Sequence, residues 1–146
     1  MDDGEPLEDL IGFELRRAYV WSSRLFSELL SGAAIKPGQY SLLFTIERHP
    51  GQTLGFIAER LALDPANLAP LLNELERLGY VERVVQENDR RARAIRLQPR
   101  GREVLEQAHA AIAQHEARLT RGLDAAARRQ FLKLLRQIAA NAREPA

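Results

Sequence analysis

The strongest constraint on the fold is a pair of short amphipathic helices followed at once by a basic β-hairpin. Thr53 can cap the first helix, which runs to Leu61. Asp64 and Pro65 supply a cap and a proline start for the second helix, which Gly79 ends. Only a turn around positions 62–63 separates the two. This spacing predicts a helix-turn-helix.

The hairpin consists of alternating segments at 80–86 and 92–97, joined by a turn at Asn88 and Asp89. From Val81 to Arg102 there are seven arginines against three acids, although the whole chain has a net charge of only +1. A basic segment of this kind is typical of a phosphate-binding element, and a solvated charged hairpin is the alternative reading of the composition. The order of elements predicts a winged helix.

Long amphipathic segments flank this lobe. One helix is predicted from Leu7 to Ser31, and a second opens at Lys36-Pro37 and ends at 49–51. A long helix is predicted from Pro99 to about Arg121. Asp124 is predicted to cap a last helix that buries Phe131, Leu134, Leu135 and Ile138.

The terminal helices have apolar faces broader than one small lobe can cover. A shared interface with a second copy is the most economical use of these faces, and an intramolecular core is the alternative. We therefore expect a mostly α fold with a small β-wing and a single domain over residues 1–146. Within it, residues 36–98 form the winged helix-turn-helix lobe, and residues 5–32 and 99–143 form the dimerisation helices. The ends, at 1–5 and 143–146, are expected to fray.

With these elements in place, the chain resembles the MarR family of bacterial regulators over nearly its whole length. The resemblance rests on the segments at 10–18, 36–43 and 75–83. Its most specific part is Asp89-Arg90-Arg91, with Leu97 eight residues after the aspartate and Gly101 four residues later.

The resemblance implies a homodimeric DNA-binding transcriptional regulator, most simply a repressor, that acts on a palindromic operator in double-stranded DNA. Arg91 corresponds to the wing arginine that enters the minor groove, and Asp89 to the acid that holds it, by fixing its rotamer across the hairpin tip. Arg90 and Arg93 would add phosphate contacts. A purely structural role for Asp89 and Arg91, tying the turn together, is the alternative.

The second helix of the helix-turn-helix departs from the family pattern, because few of its outward residues can read bases. Asn67 and Asn73 could pair with adenine, and Arg77 lies near its end. Pro70 would cost about 3 kcal/mol inside a helix, unless the regular helix begins near Asn67. Gln98 replaces the usual threonine before the following helix. These departures predict binding driven by the wing and by phosphates, with modest base readout.

Regulators that resemble this chain sense small aromatic or amphipathic compounds in a crevice, which here would be lined by the first, second and fifth helices. Arg16 or Arg17 could pair with a ligand carboxylate. Aromatic side chains at helical spacing are also common in ordinary cores, which is the alternative for each of them. The aromatic candidates are Phe13, Tyr19, Trp21, Tyr40 and Phe44.

Other classes of function have less support. The sequence has no nucleophile elbow and no phosphate loop, and His109 and His115 are six residues apart, so they do not share a helix face as metal ligands would. We therefore expect no enzyme, no metal and no cofactor. The chain has no cysteine and no long apolar run, and its acidic start is not a signal peptide, so we expect a cytoplasmic protein without a membrane partner. The alternative function is a winged-helix protein with weak or non-specific DNA binding that acts through protein contacts.

Overall fold

The computed structural model describes residues 6–144 and contains six α-helices and one two-stranded sheet within that range. The predicted mostly α fold with a small β-wing is confirmed. The predicted frayed residues 1–5 and 145–146 lie outside the described residues. The elements are α1 (Ile11–Leu29), α2 (Pro37–Arg48), α3 (Leu54–Arg60), α4 (Pro65–Arg77), β1 (Val81–Val85), β2 (Arg93–Leu97), α5 (Pro99–Leu119) and α6 (Ala125–Asn141).

The first predicted helix is interrupted, so its predicted span of Leu7 to Ser31 is wrong. A 3-10 turn at Leu7–Asp9 is separated from α1 by Leu10, whose backbone is extended at φ −83° and ψ 120°. The spacing of apolar residues did not reveal the break, because it is satisfied locally on both sides of one extended residue. The helix ends at Leu29, two residues earlier than predicted.

The helix-turn-helix forms with the predicted caps. The Thr53 hydroxyl accepts a hydrogen bond from the Phe56 backbone N–H at 3.3 Å, and Asp64 Oδ1 accepts one from Ala66 N–H at 2.7 Å. Both bonds satisfy N–H groups that have no partner within their helices. On α3, Ile57 and Ala58 are buried, while Leu54 and, just after the helix, Leu61 pack against the core partly exposed.

Pro70 lies inside α4, because the regular helix begins at Pro65, as its cap and proline start predict, and not near Asn67. The helix begins at Pro65, five residues before Pro70. Pro70 therefore removes the hydrogen bond that its N–H would donate to the Ala66 carbonyl. Packing of the opposite face compensates for this loss, because Leu68, Leu72 and Leu75 are almost completely buried.

The wing is an antiparallel hairpin in which Val81 pairs with Leu97 and Val85 with Arg93. An isolated bridge from Gln52 to Ile95 anchors it to the turn before α3. Gly101 lies so close to the Tyr80 carbonyl that a Cβ there would collide with that oxygen. A glycine four residues after Leu97 is therefore a steric requirement of the turn from the wing into α5.

One hydrophobic core fills the central lobe, and every element from α2 to α5 contributes to it. On α4, Leu71 and Leu78 are only partly buried. Gln98 precedes α5 without a side-chain cap, as its substitution for threonine predicted. The most deeply buried large side chains are Leu42, Leu43, Ile46, Ile57, Leu68, Leu72, Leu75, Ile95 and Leu105.

The terminal helices remain largely uncovered in the single chain. The prediction that α6 buries its apolar face is wrong for one chain, because Phe131 and Leu134 are each 50% exposed and Leu135 and Ile138 are only partly buried. The α5 helix ends at Leu119 rather than near Arg121, and Leu119 is exposed. None of the helices within residues 6–144 is long and apolar enough to cross a membrane.

Candidate nucleic-acid interface and ligand crevice

The tip of the wing presents arginines on a backbone that Asp89 fixes. Asp89 Oδ1 accepts a hydrogen bond from the Arg91 backbone N–H at 2.9 Å, and the Asp89 carbonyl accepts one from Ala92 N–H at 3.1 Å. Arg93 Nη1 donates to the Arg90 carbonyl at 3.0 Å. These bonds leave Arg90, Arg91 and Arg93 exposed on one short segment.

The contacts of Asp89 correct one expectation. Asp89 was predicted to hold the side chain of Arg91, but it binds the backbone amide of that residue. Among the ion pairs of residues 6–144, none involves Arg90 or Arg91. An aspartate two residues before the arginine closes a local turn by accepting from the arginine's own backbone N–H. It therefore fixes the shape of the backbone rather than the rotamer of the arginine side chain.

The predicted base-reading residues Asn67, Asn73 and Arg77 are all exposed on α4. Residues at 66, 70, 73 and 77 recur at helical spacing and form the outward line of this helix, opposite its buried leucines. The line is small and apolar in its first half, at Ala66 and Pro70. Glu74, on another side of the same helix, is half-buried and lines a groove that also contains Lys36.

Arg83 is a residue of this interface that the sequence analysis missed. From β1 it donates a hydrogen bond through Nη2 to Oδ1 of Asn73, and its Nε lies 3.4 Å from Oε2 of Glu76. The sequence contained one signal. Arg83 is two residues from the buried Val81, so the two side chains share the face of the strand that is turned toward the interior.

A groove of about 360 Å³ lies between α1 and α2, at the level of the predicted crevice. Its wall is rich in hydroxyl groups and also contains two aromatic rings. Of the predicted ligand residues, Tyr19 lines it directly. The lining residues are Tyr19, Ser22, Ser23, Phe26, Ser27, Pro37, Gly38 and Ser41.

Tyr40 and Phe44 form a layer beneath this groove. Their rings stack with centroids 5.7 Å apart, and Tyr40 meets the lining residue Phe26 edge-on at 5.7 Å. Burial raises the pKa of the Tyr40 hydroxyl, and the negative charge of Glu47 raises it further, so this hydroxyl stays protonated at neutral pH.

The other predicted ligand residues lie elsewhere on α1. Arg17 forms an ion pair with Glu14 at 2.7 Å and lies over the Phe13 ring at 5.8 Å. Arg24 covers the exposed Trp21 ring at 4.9 Å. Arg16 is exposed on the same helix and is not part of the groove wall.

The predicted lining of the crevice by the fifth helix is not observed, because every lining residue belongs to α1 or α2. His115 of α5 packs against the lining residue Phe26 instead, a contact that the sequence does not predict. The ring lies 4.9 Å from that of Phe26, and Nε2 is 3.1 Å from both the hydroxyl and the carbonyl oxygen of Ser22. This polar contact depends on the crossing of α1 and α5, which the sequence of α5 alone does not indicate. Within residues 6–144, no group of three or more His, Cys, Asp or Glu side chains is arranged to hold a metal ion.

The comparisons with known proteins agree with this arrangement. The sequence model of the MarR family matches residues 35–92, which cover the helix-turn-helix and most of the wing. A protein of Thauera aromatica that is named for regulation of the hcr operon is 26% identical over 129 residues, covering 88% of this chain and 78% of that protein.

Two solved structures cover almost the whole fold. The transcriptional repressor CouR bound to a 23-mer DNA duplex is 31% identical, covers 91% of this chain and 94% of its own, and superposes with a TM-score of 0.83. CouR from Rhodococcus jostii has also been solved with p-coumaroyl-CoA. The PcaV regulator of Streptomyces coelicolor, in complex with its natural ligand, is 26% identical, covers 95% of this chain and 98% of its own, and has a TM-score of 0.85.

Proposed function

The chain belongs to the MarR family of transcriptional regulators, and on that premise we propose that it is a repressor that binds a palindromic operator as a homodimer and is modulated by a small aromatic ligand. The observation that carries the proposal is the exposed arginine tip of the wing on the same lobe as the helix-turn-helix. Repression follows from the proposed compact dimer, because such a dimer bound to a promoter blocks access of the transcription machinery without contacting any other protein.

The wing and α4 contact different parts of the DNA. Arg91 at the wing tip enters the minor groove, where the planar and weakly hydrated guanidinium is favoured. Arg90 and Arg93 contact phosphates, and α4 enters the major groove with Asn67, Asn73 and Arg77 toward the bases. The structure of CouR with a 23-mer DNA duplex supports DNA binding by a chain of this fold.

A second copy covers the terminal helices. A groove of about 410 Å³ between α1 and α6 is lined mainly by apolar side chains, including the exposed Phe131 and Leu134, with Asp9 and Glu14 as its charged residues. A two-fold axis through this face joins the segments 5–32 and 99–143 of the two copies and leaves residues 36–98 of each as a separate DNA-binding lobe. Two lobes related by that axis require a palindromic site. Sedimentation equilibrium of the wild type and of Phe131→Asp tests this step, because the variant is expected to be monomeric.

The ligand occupies the crevice between α1 and α2, where the Phe26 ring offers a stacking surface and the serine hydroxyls offer hydrogen bonds. The stacked pair of the buried Tyr40 and the partly buried Phe44 supports the floor. The two wings of the dimer can adopt one spacing that binds DNA and another that does not. A ligand that binds the second state more tightly weakens DNA binding by the difference between its binding free energies for the two states, typically about 1–3 kcal/mol. The complex of PcaV with its natural ligand supports small-molecule binding by a chain of this fold.

The experiment is an equilibrium titration of the purified protein against the DNA upstream of its own gene, with a scrambled duplex as control, over a range of salt. Specific binding predicts much tighter binding to the native fragment and a logarithm of affinity that falls linearly with the logarithm of salt concentration, by roughly 0.9 per phosphate contact. If both duplexes bind equally weakly, the operator is sought by selecting the fragments of genomic DNA that the protein binds. Failure of that selection as well would overturn the proposal.

The face of α4 favours one alternative, a winged-helix protein with weak or non-specific DNA binding that acts through protein contacts. Ala66 and Pro70 offer no hydrogen-bond donor toward DNA, and Glu76 places a negative charge on the same helix. The alternative predicts that the arginines of the wing tip are dispensable for function in the cell, whereas the repressor requires them.

A further inference from the structure

A hydrogen bond between Arg83 and Asn73 joins the wing to α4. Asn73 has the only side-chain amide on the outward line of that helix, residues 66, 70, 73 and 77, and its oxygen accepts this bond. Arg83 Nη2 donates to Oδ1 of Asn73, while its Nε is buried and lies 3.4 Å from Oε2 of Glu76. The guanidinium therefore bridges two residues that are three positions apart on α4. It also offsets the negative charge of Glu76.

The orientation of the Asn73 amide follows from the chemistry of its partner. A guanidinium has only donors, so the atom that it contacts must be the amide oxygen. The NH₂ group of Asn73 is then the group left for another partner. Asn73 is exposed on the same helical line as Pro70 and Arg77, so this NH₂ group lies on the surface that is offered to DNA.

An asparagine with its oxygen already engaged reads bases differently from a free one. Bidentate pairing with adenine requires the amide oxygen to accept from the N6 amino group while the NH₂ group donates to N7. Guanine presents two acceptors, N7 and O6, at the same edge and needs only donors. The amide oxygen has two lone pairs and Arg83 takes one of them, so adenine competes with the guanidinium for this oxygen, whereas guanine needs only the NH₂ group.

We propose that Arg83 is a positioning residue that presents Asn73 as a donor, so that Asn73 selects guanine rather than adenine at one position of each operator half-site. This assignment rests on the proposed function, since it concerns how the same interface reads DNA. It replaces the adenine pairing of Asn73 that the sequence alone predicts.

The test is a selection of binding sites from duplexes with randomised half-sites, followed by equilibrium titration of the guanine and adenine versions of the position in question. The wild type is expected to prefer guanine at one position per half-site by about tenfold. Replacing that guanine with 7-deazaguanine is expected to remove most of the preference, because it deletes the N7 acceptor.

Variants separate the assignment from a general loss of structure. Asn73→Asp keeps an oxygen for Arg83 but removes the donor, so the preference for guanine is expected to vanish while the thermal stability is retained. Arg83→Met frees the Asn73 oxygen, and the preference is expected to move toward adenine. Arg83→Lys retains a donor and is expected to keep guanine. Arg102→Met is the matched control, because it removes an arginine that is paired with Glu47, away from α4.

The outcomes distinguish the two claims. If the wild type enriches no sequence at all, the proposed function fails and this assignment fails with it. If the wild type selects an operator but Asn73→Asp and Arg83→Met leave the base preferences unchanged, the proposed function stands and the assignment is overturned.

Discussion

His115 on α5 and Ser22 on α1 are joined through a single ring nitrogen, which lies 3.1 Å from the Ser22 carbonyl oxygen and 3.1 Å from its hydroxyl. A carbonyl oxygen only accepts, so a hydrogen bond to it requires the tautomer with the proton on Nε2, whereas a hydrogen bond from the Ser22 hydroxyl requires the other tautomer. The same ring packs on Phe26 at 4.9 Å. His115 therefore holds the α1 wall of the crevice against α5, and a change at this residue reaches both the fold and the groove.

We predict that His115→Ala lowers the free energy of unfolding by about 1–3 kcal/mol, because it leaves the Ser22 contact unmade and opens space beside Phe26. The side chain of His115 is only 12% exposed, so water replaces it poorly. Urea unfolding followed by circular dichroism measures the difference. His109→Ala is the control on the exposed side of the same helix and is expected to stay within about 0.5 kcal/mol of the wild type. Equal losses in the two variants would contradict the role of the contact.

The turn at the wing tip predicts different results for two substitutions of Asp89. Asp89→Asn keeps an oxygen that can accept from the Arg91 amide and removes a negative charge near phosphates, so DNA affinity is expected to be retained or increased. Asp89→Ala removes the acceptor and is expected to weaken binding by roughly fivefold, the equivalent of about 1 kcal/mol for one hydrogen bond. Fluorescence anisotropy with an operator duplex measures both. A large loss in Asp89→Asn would show that the carboxylate acts through its charge on an arginine side chain.

Pro70 is predicted to destabilise α4, since its ring occupies a position where a backbone donor is needed. Pro70→Ala restores the hydrogen bond to Ala66 and is expected to raise the free energy of unfolding by up to about 3 kcal/mol. Pro65→Ala is the control, because a proline in the first turn removes no helical hydrogen bond and its loss is expected to change little. A neutral result for Pro70→Ala, measured by urea unfolding, would mean that the local backbone already accommodates the ring.

We predict a steric effect of substitution at Gly101 that the helical glycine Gly55 does not share. Gly101→Ala places a Cβ against the Tyr80 carbonyl oxygen and is expected to lower the free energy of unfolding by about 1–3 kcal/mol. Gly55→Ala in α3 meets only the Thr53 hydroxyl at 3.9 Å, and it is expected to be neutral or slightly stabilising. Thermal unfolding of both variants compares them directly, and similar melting temperatures would contradict the close approach at Gly101.

The sequence predicts those parts of the fold that depend on short stretches of chain. Thr53 and Asp64 cap α3 and α4 as expected, because capping requires only a side-chain oxygen and an amide two or three residues later. The winged helix follows from the order of such elements. The break at Leu10 could not be predicted, since one extended residue leaves the apolar spacing on either side intact.

The candidate site was less predictable, because its contacts cross between elements. Arg83 and Asn73 are ten residues apart on different elements, and Ser22 and His115 are 93 residues apart. Spacing along the chain carries no information about such pairs. The aromatic candidates show the same limit. Tyr19 lines the groove, whereas Trp21, only two residues later, points elsewhere on α1 because successive helical residues differ by about 100°.

The central claim, specific DNA binding through the wing, is tested most directly by Arg91→Ala in an operator titration over a range of salt. Arg91 is exposed at the tip and is expected to affect DNA rather than folding. Arg118→Ala, also exposed but on α5, is the control of equal charge. The account predicts that Arg91→Ala loses about tenfold or more in affinity for the operator, while Arg118→Ala binds like the wild type. Equal affinities for the wild type and Arg91→Ala would contradict it and favour a protein that acts through protein contacts.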